Sequence, residues 1–291
     1  MPNSIFQFLE IQLLQNLPFV VYKRPNKDNV KAMLQNEATL YHCMDFLEKG
    51  FVFAPFASNT SAILLKPDTV LEETFKPVKF LEADMVDLPT PNENGREIHI
   101  DLIKKGIQEI KMGKLKKVVL SRKLYVECDK SPWELFQELL GRYPSAFCYL
   151  WYHPKVGMWL GASPELLLSA GNNHLNTSSL AGTQVYNGLE KPVWGEKELQ
   201  EQAMVTQYIM AALEDKVTDL SVSKTQSVRA GNLWHLGTGI SGRIKDMALS
   251  PIIKALHPTP AVCGLPKGES QKFILENENY DREFYTGFLG E

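Results

Sequence analysis

The chain has 291 residues, enough for one large domain or two smaller ones around a sizeable core. Hydrophobic residues make up 44% of it and charged residues 22%, and the net charge of -3 argues against the basic footprint of a nucleic-acid binder. No apolar run approaches the ~18 residues of a membrane span. The first stretch, MPNSIFQFLEIQLLQ, carries Glu10 and lacks a basic segment, so it does not read as a signal peptide. Cys43, Cys128, Cys148 and Cys263 are scattered without a C-x-x-C pair, which points to reduced thiols in the cytoplasm and not to a zinc site or a disulfide framework.

Residues 1–90 alternate helical and strand-like pieces, with strands predicted at Phe51–Phe56 and Ala62–Leu65. Lys66–Asn94, punctuated by Pro67, Pro77, Pro89 and Pro91, is predicted to be largely a connection. After Asn94, Ile103, Ile107 and Ile110 fall on one stripe of a helix that Gly113 is placed to end. Leu115–Val126 is predicted as a β-branched strand. Ser131-Pro132 then opens a helix that runs to about Gly141.

Ala146–His153 and Val156–Leu160 form a predicted hairpin that leads into WLGASPELLL, residues 159–168. There Trp159–Gly161 and Leu166–Leu168 read as two short buried strands around the turn Ala162-Ser163-Pro164, with Glu165 straight after it. A carboxyl beside such a turn, walled by Trp and Leu, is partly desolvated and can hold a proton near neutrality. The plain alternative is a strand-end Glu paired with a nearby Lys.

His174–Gln184 reads as a strand, and Trp194 to about Asp215 as a long helix. On that helix Glu201 shares a face with Met204, Val205, Tyr208 and Ala212, with Glu198 on the shoulder. A carboxylate inside an apolar stripe calls for a cation, either a metal ion or a buried basic side chain. GTGISG at 237–242 fits G-x-G-x-x-G, but it lies inside a continuous strand pattern over Asn232–Ile244 and lacks the following acidic residue. Its glycines read as points of close backbone approach, and His235 by itself as a satisfied core histidine. Leu256–Pro266 is a proline-punctuated loop, followed by a helix over roughly Gly268–Glu278.

Seven stretches in this order resemble the chorismate-utilising enzymes, which include isochorismate synthase, salicylate synthase and the large subunits of anthranilate and aminodeoxychorismate synthase. They are KVVLSR (117–122), GASPELL (161–167), SLAGT (179–183), KELQEQAMV (197–205), HLGT (235–238), LHPTPAVCGLP (256–266) and YDREFYTG (280–287). The resemblance covers about residues 95–291. It implies one large α+β domain with layered, largely antiparallel sheets and outer helices. Residues 1–90 would be a divergent N-terminal part of that fold, and 91–291 the chorismate-binding catalytic region.

The resemblance also implies Mg2+-assisted chemistry on the chorismate ring. Glu165 would be the general acid and Glu201 a metal ligand, with Glu198 a weaker neighbour. Lys117 stands where the amine-installing enzymes carry Gln; held in an apolar strand environment, it could serve as the base that activates water. Ala181 stands where aminodeoxychorismate synthase places a nucleophilic Lys, and Ala181, Gly182, Thr183 and His235 would line the ring pocket. Water in place of ammonia makes an amidotransferase partner unexpected. The expected activity is conversion of chorismate to isochorismate, for menaquinone or a siderophore. A salicylate synthase or a catalytically impaired chorismate-binding protein is the alternative. The family continues beyond YTGFLG with further strands and a second metal-binding Glu, so residues 1–291 alone are expected to turn over weakly or not at all.

Overall fold

The computed structural model describes residues 4–57, 59–75, 93–186, 192–246 and 248–291. Helix α1 (Ile5–Leu14) sets Ile5 and Leu9 into the core. Strand β1 (Phe19–Lys23) is buried at every position and pairs with β2 (Asn29–Leu34). Three short strands follow, β3 (Tyr41–His42), β4 (Phe51–Ala54) and β5 (Ile63–Leu65). The connection expected over Lys66–Asn94 contains a strand, β6 (Thr69–Thr74), which pairs antiparallel with β2. It is an exposed edge strand of mostly polar residues, so no apolar alternation announces it. Residues 76–92 of that segment lie outside the described residues.

Helix α2 (Glu93–Lys111) ends at Gly113, whose φ of +75° suits glycine. Its expected inner stripe faces outward: Ile103, Ile107 and Ile110 are all exposed. The inward line is Leu102 and Gly106 instead, because Gly106 lets the helix approach Val118 and Leu120 closely. The strand expected over Leu115–Val126 shrinks to β7 (Lys117–Val118). A β-branched run supplies strand propensity, but a ladder also needs a partner, and among the described residues that partner is two residues long.

Helix α3 (Pro132–Arg142) starts on a capping box between Ser131 and Glu134. Strands β8 (Phe147–His153) and β9 (Gly157–Ser163) make the expected hairpin. Strand β9 runs on through Ser163, and Leu166–Leu168 is not a strand; β10 (Ser169–Gly171) comes instead. Then follow β11 (His174–Val185), α4 (Glu196–Leu213), β12 (Val217–Val222), β13 (Gln226–Ala230) and β14 (Leu233–Ile244). The chain closes with α5 (Leu249–Leu256), which the sequence pattern did not announce, β15 (Gly264–Leu265), α6 (Lys267–Asn277) and β16 (Phe288–Gly290).

The strand orders are β6-β2-β1-β8-β9, β10-β11-β14-β12 with β13 also on β14, β15-β7, and β16-β4-β5-β3. The pairings among these strands are antiparallel, giving the α+β architecture of layered sheets with outer helices. The first sheet draws strands from both sides of residue 90. Strand β1 is buried throughout because both its faces are covered. Phe19 and Val21 pack with residues of α1 and α3, while Val20 and Tyr22 pack with Phe51 and Phe53 of the β4 sheet. The second sheet is covered by α4 and α5. No helix among the described residues is long and apolar enough to cross a membrane.

The β7–β15 contact is tight. A Cβ on Gly264, whose φ is +143°, would lie 2.2 Å from Lys117 O and 2.7 Å from Ser270 Oγ. Gly264→Ala is therefore expected to lower stability by about 2–3 kcal/mol in denaturant unfolding, combining overpacking with a backbone conformation alanine resists.

Candidate active site

Lys117 enters the site from β7. Its side chain is 11% exposed and its Nζ stands 2.8 Å from Glu201 Oε1 on α4. The approach is off the line of a good hydrogen bond, so the buried Nζ has an ion partner but no aligned acceptor. The ammonium is thereby held in place with donors uncommitted. The backbone behind it is fastened: Ser270 Oγ donates to Lys117 O at 3.0 Å, and Lys116 N donates to Leu265 O at 2.7 Å.

Glu165 comes from the turn after β9. Its N–H donates to Ser163 Oγ at 3.3 Å, which closes the small-residue turn ahead of it. Strand β9 is anchored by an aromatic stack: Phe284 lies against Phe53 at 4.3 Å and against Trp159 at 5.4 Å, and Phe53 lies on Trp151 at 4.6 Å. Burial pushes the Glu165 carboxyl up to about 7, and the positive charge of Lys117 opposes this as the lesser influence. Glu165 therefore lies within electrostatic range of Lys117, whose Nζ in turn touches Glu201.

Helix α4 buries Gln202, Val205, Ile209 and Leu213. Glu201 lies at the border of that stripe, half-buried, and not in its middle as helical phase suggested. Its cation here is the Lys117 ammonium, one of the two partners that the stripe left open. Glu198 is one turn earlier on the same helix and half-buried; among the described residues its carboxylate has no hydrogen-bond or ion partner. Gly195 lies beneath it, where a Cβ would sit 2.8 Å from Glu198 Oε2. No group of three or more His, Cys, Asp and Glu among the described residues is arranged around a common metal position. Two hard carboxylates one turn apart nevertheless suit magnesium, which is commonly held by one or two carboxylates and keeps several waters.

Ala181, Gly182 and Thr183 sit where β11 bulges against β14, the register shifting between Ala181 and Thr183. Gly182 has φ +73°, and a Cβ on it would meet Glu198 Cβ at 3.2 Å, so the bulge brings this backbone against α4. His235 is not a plain core histidine. It is half-buried, and its Nδ1 lies 3.1 Å from Gly182 O and 3.2 Å from Thr183 Oγ1. Gly182, Thr183 and His235 thus form a second cluster beside Glu198, linked to Lys117 and Glu165 through one turn of α4. A groove of about 540 Å³ bordered by Leu102, Ser121 and Tyr125 holds none of these residues.

The sequence reading assigned no role to Glu278 and Arg282, which form a fully buried ion pair. Their i,i+4 spacing next to the matched YDREFYTG stretch was the available signal.

The family described as chorismate binding enzyme matches residues 60–291. Isochorismate synthase DhbC of Bacillus subtilis is 31% identical over 210 residues, covering 65% of this chain and 52% of its own length. Isochorismate synthase MenF of Haemophilus influenzae is 28% identical over 256 residues, covering 83% of this chain and 59% of its own length. The chain thus spans about half the length of the curated relatives it matches. The solved structure of the menaquinone-specific isochorismate synthase MenF from Escherichia coli superposes with a TM-score of 0.74 at 20% identity, covering 98% of this chain and 78% of that one; it supports the fold. The match over residues 60–291 takes in Lys117, Glu165, Glu198, Glu201 and His235, and the chain belongs to the chorismate binding enzyme family.

Proposed function

We propose that this protein converts chorismate to isochorismate. The observation that carries this reading is a carboxyl raised to about 7, Glu165, in the field of a buried lysine, Lys117. Relatives named isochorismate synthase support it. The residues before and after 90 act as one unit in this reading, in the cytoplasm and without an amidotransferase subunit.

In the proposed reaction Lys117 first gives its ammonium proton to solvent, and the neutral amine then takes a proton from water as the water oxygen bonds to carbon 2 of the ring. The ring double bonds shift, and the carbon–oxygen bond at carbon 4 breaks. Glu165 gives its proton to the departing hydroxyl, which leaves as water. One water enters and one leaves, so the net change is an isomerisation. Lys117 ends with a proton and Glu165 without one, and exchange with solvent resets both. Acid and base each contribute about 10²–10⁴-fold, with positioning and the polar surroundings supplying the rest. Gly182, Thr183 and His235 would border the ring.

Glu201 and Glu198 would hold magnesium. When bound, it would supply positive charge for a substrate carboxylate and a competing partner for the Glu201 carboxylate now turned to Lys117.

Incubation with chorismate and magnesium, with products identified by mass, tests the reading. Any product formed is expected to be isochorismate; release of pyruvate with salicylate would favour the longer reaction. Lys117→Ala should lower the rate by at least about 10²-fold, and a fully active variant would remove Lys117 as the base. A second expectation concerns pH. As an acid, Glu165 works protonated, so the rate should fall as pH rises through about 7. Its native-state value lies above the unfolded one of 4.5, so the folded protein binds the extra proton, and stability drains away between 4.5 and about 7. Glu165→Gln should therefore be more stable than wild type at pH 8 by about 3 kcal/mol, with no gap at pH 4. For the metal, Glu198→Ala and Glu201→Ala should each weaken magnesium binding at least about tenfold by calorimetry, since each removes one of two hard ligands.

A further inference from the structure

We propose that the buried Glu278–Arg282 pair is the positioning element for Lys117, standing in for a neighbouring strand along residues 119–121. The role assigned to Lys117 rests on the proposed function; the clamp itself rests on geometry.

The ladder that carries Lys117 is very short. Strands β7 and β15 pair over two residues, and the last backbone bond runs from Val119 N to Cys263 O at 2.8 Å. Beyond it two carbonyls, Val119 O and Val262 O, lose a strand partner at the same level. The Arg282 guanidinium bridges them, Nη2 donating to Val119 O at 2.8 Å and Nη1 to Val262 O at 3.0 Å. Two residues on, where the strand again faces the same side, Glu278 Oε1 accepts from Ser121 N at 2.7 Å and from Ser121 Oγ at 2.9 Å. Tyr280 closes the end, its hydroxyl 2.7 Å from Ser121 Oγ. The pair therefore satisfies alternate peptide groups of an extended chain, the task of a partner strand.

The pair leaves nothing spare. Arg282 Nε and Nη2 fork onto Glu278 at 2.7 and 2.6 Å, and Nη1 also reaches Thr286 Oγ1 at 3.2 Å. With the two carbonyls, every guanidinium N–H has an acceptor. The guanidinium also lies 4.5 Å over the Phe56 ring. Both charged side chains are only 1% exposed. Such a buried pair seldom adds net stability over apolar residues of similar size. What it does add here is geometry that apolar side chains cannot supply: hydrogen bonds to two backbone segments at once. Lys117 is two residues from Val119, so the direction in which its side chain leaves the strand follows from how this backbone is held.

Arg282→Lys and Ser121→Ala in the full chain test the clamp. A lysine keeps the charge but cannot bridge both carbonyls while forking onto Glu278. For Arg282→Lys, kcat on chorismate is expected to fall about 10–100-fold with KM within about twofold, the signature of a misplaced group that acts only in the transition state. Hydrogen exchange at residues 119–121 should quicken at least about tenfold while the rest of the chain keeps its protection. Unchanged kcat in an active enzyme, unchanged exchange at 119–121, or a uniform loss of protection would each overturn the proposal. Should Arg282→Lys fail to fold, Ser121→Ala decides: a fall in kcat with KM held supports the clamp, and unaltered kcat and exchange reject it. If wild type makes no isochorismate, the functional reading fails, and the exchange experiment still decides the clamp.

Discussion

The proposed chemistry depends on one constraint, the partial withdrawal of Glu165 from water. A carboxyl in solvent is ionised at neutral pH and has no proton to give; burial reverses that preference and holds it near 7 despite the nearby charge of Lys117. The two groups are kept from the simplest outcome, a carboxylate–ammonium pair of their own, because the ion partner of Lys117 is Glu201 on α4. Three elements are thus needed to separate one acid from one amine: the turn after β9, the short strand β7, and the helix.

Those elements belong to different layers, and one segment near the C-terminal end joins them. Arg282 fastens the backbone that follows Lys117, while Phe284, two residues later, stacks on Phe53 and Trp159 and so fastens the strand that leads to Glu165. The matched stretch YDREFYTG contributes no group to the proposed proton transfers. Its work is to set the relative positions of the two elements that do.

Much of this was legible in the residues themselves. The Ser131-Pro132 helix start, the hairpin into Trp159, the long α4 helix and the continuous strand over GTGISG all follow from local rules, and each is seen. Glu165 was marked by its turn and apolar neighbours, and Glu201 by helical phase. Less legible was anything that depends on what an element meets. Ile103, Ile107 and Ile110 make a regular stripe, yet the helix turns Gly106 inward, because close approach to Val118 and Leu120 is available only there. Residues 119–126 have the composition of a strand and no described strand beside them.

Local order was determined by the sequence alone, since capping, turn chemistry and hydrophobic period act over a few residues. Which charge meets which was decided only in three dimensions. The pairing of Lys117 with Glu201 spans two distant segments, the contact of Gly182 with Glu198 needs a bulge, and the Glu278–Arg282 clamp needs two strands to end at the same level. Electrostatic and hydrogen-bond partners are chosen by spatial proximity and by exclusion from water, and neither is a property of a residue and its neighbours in the chain.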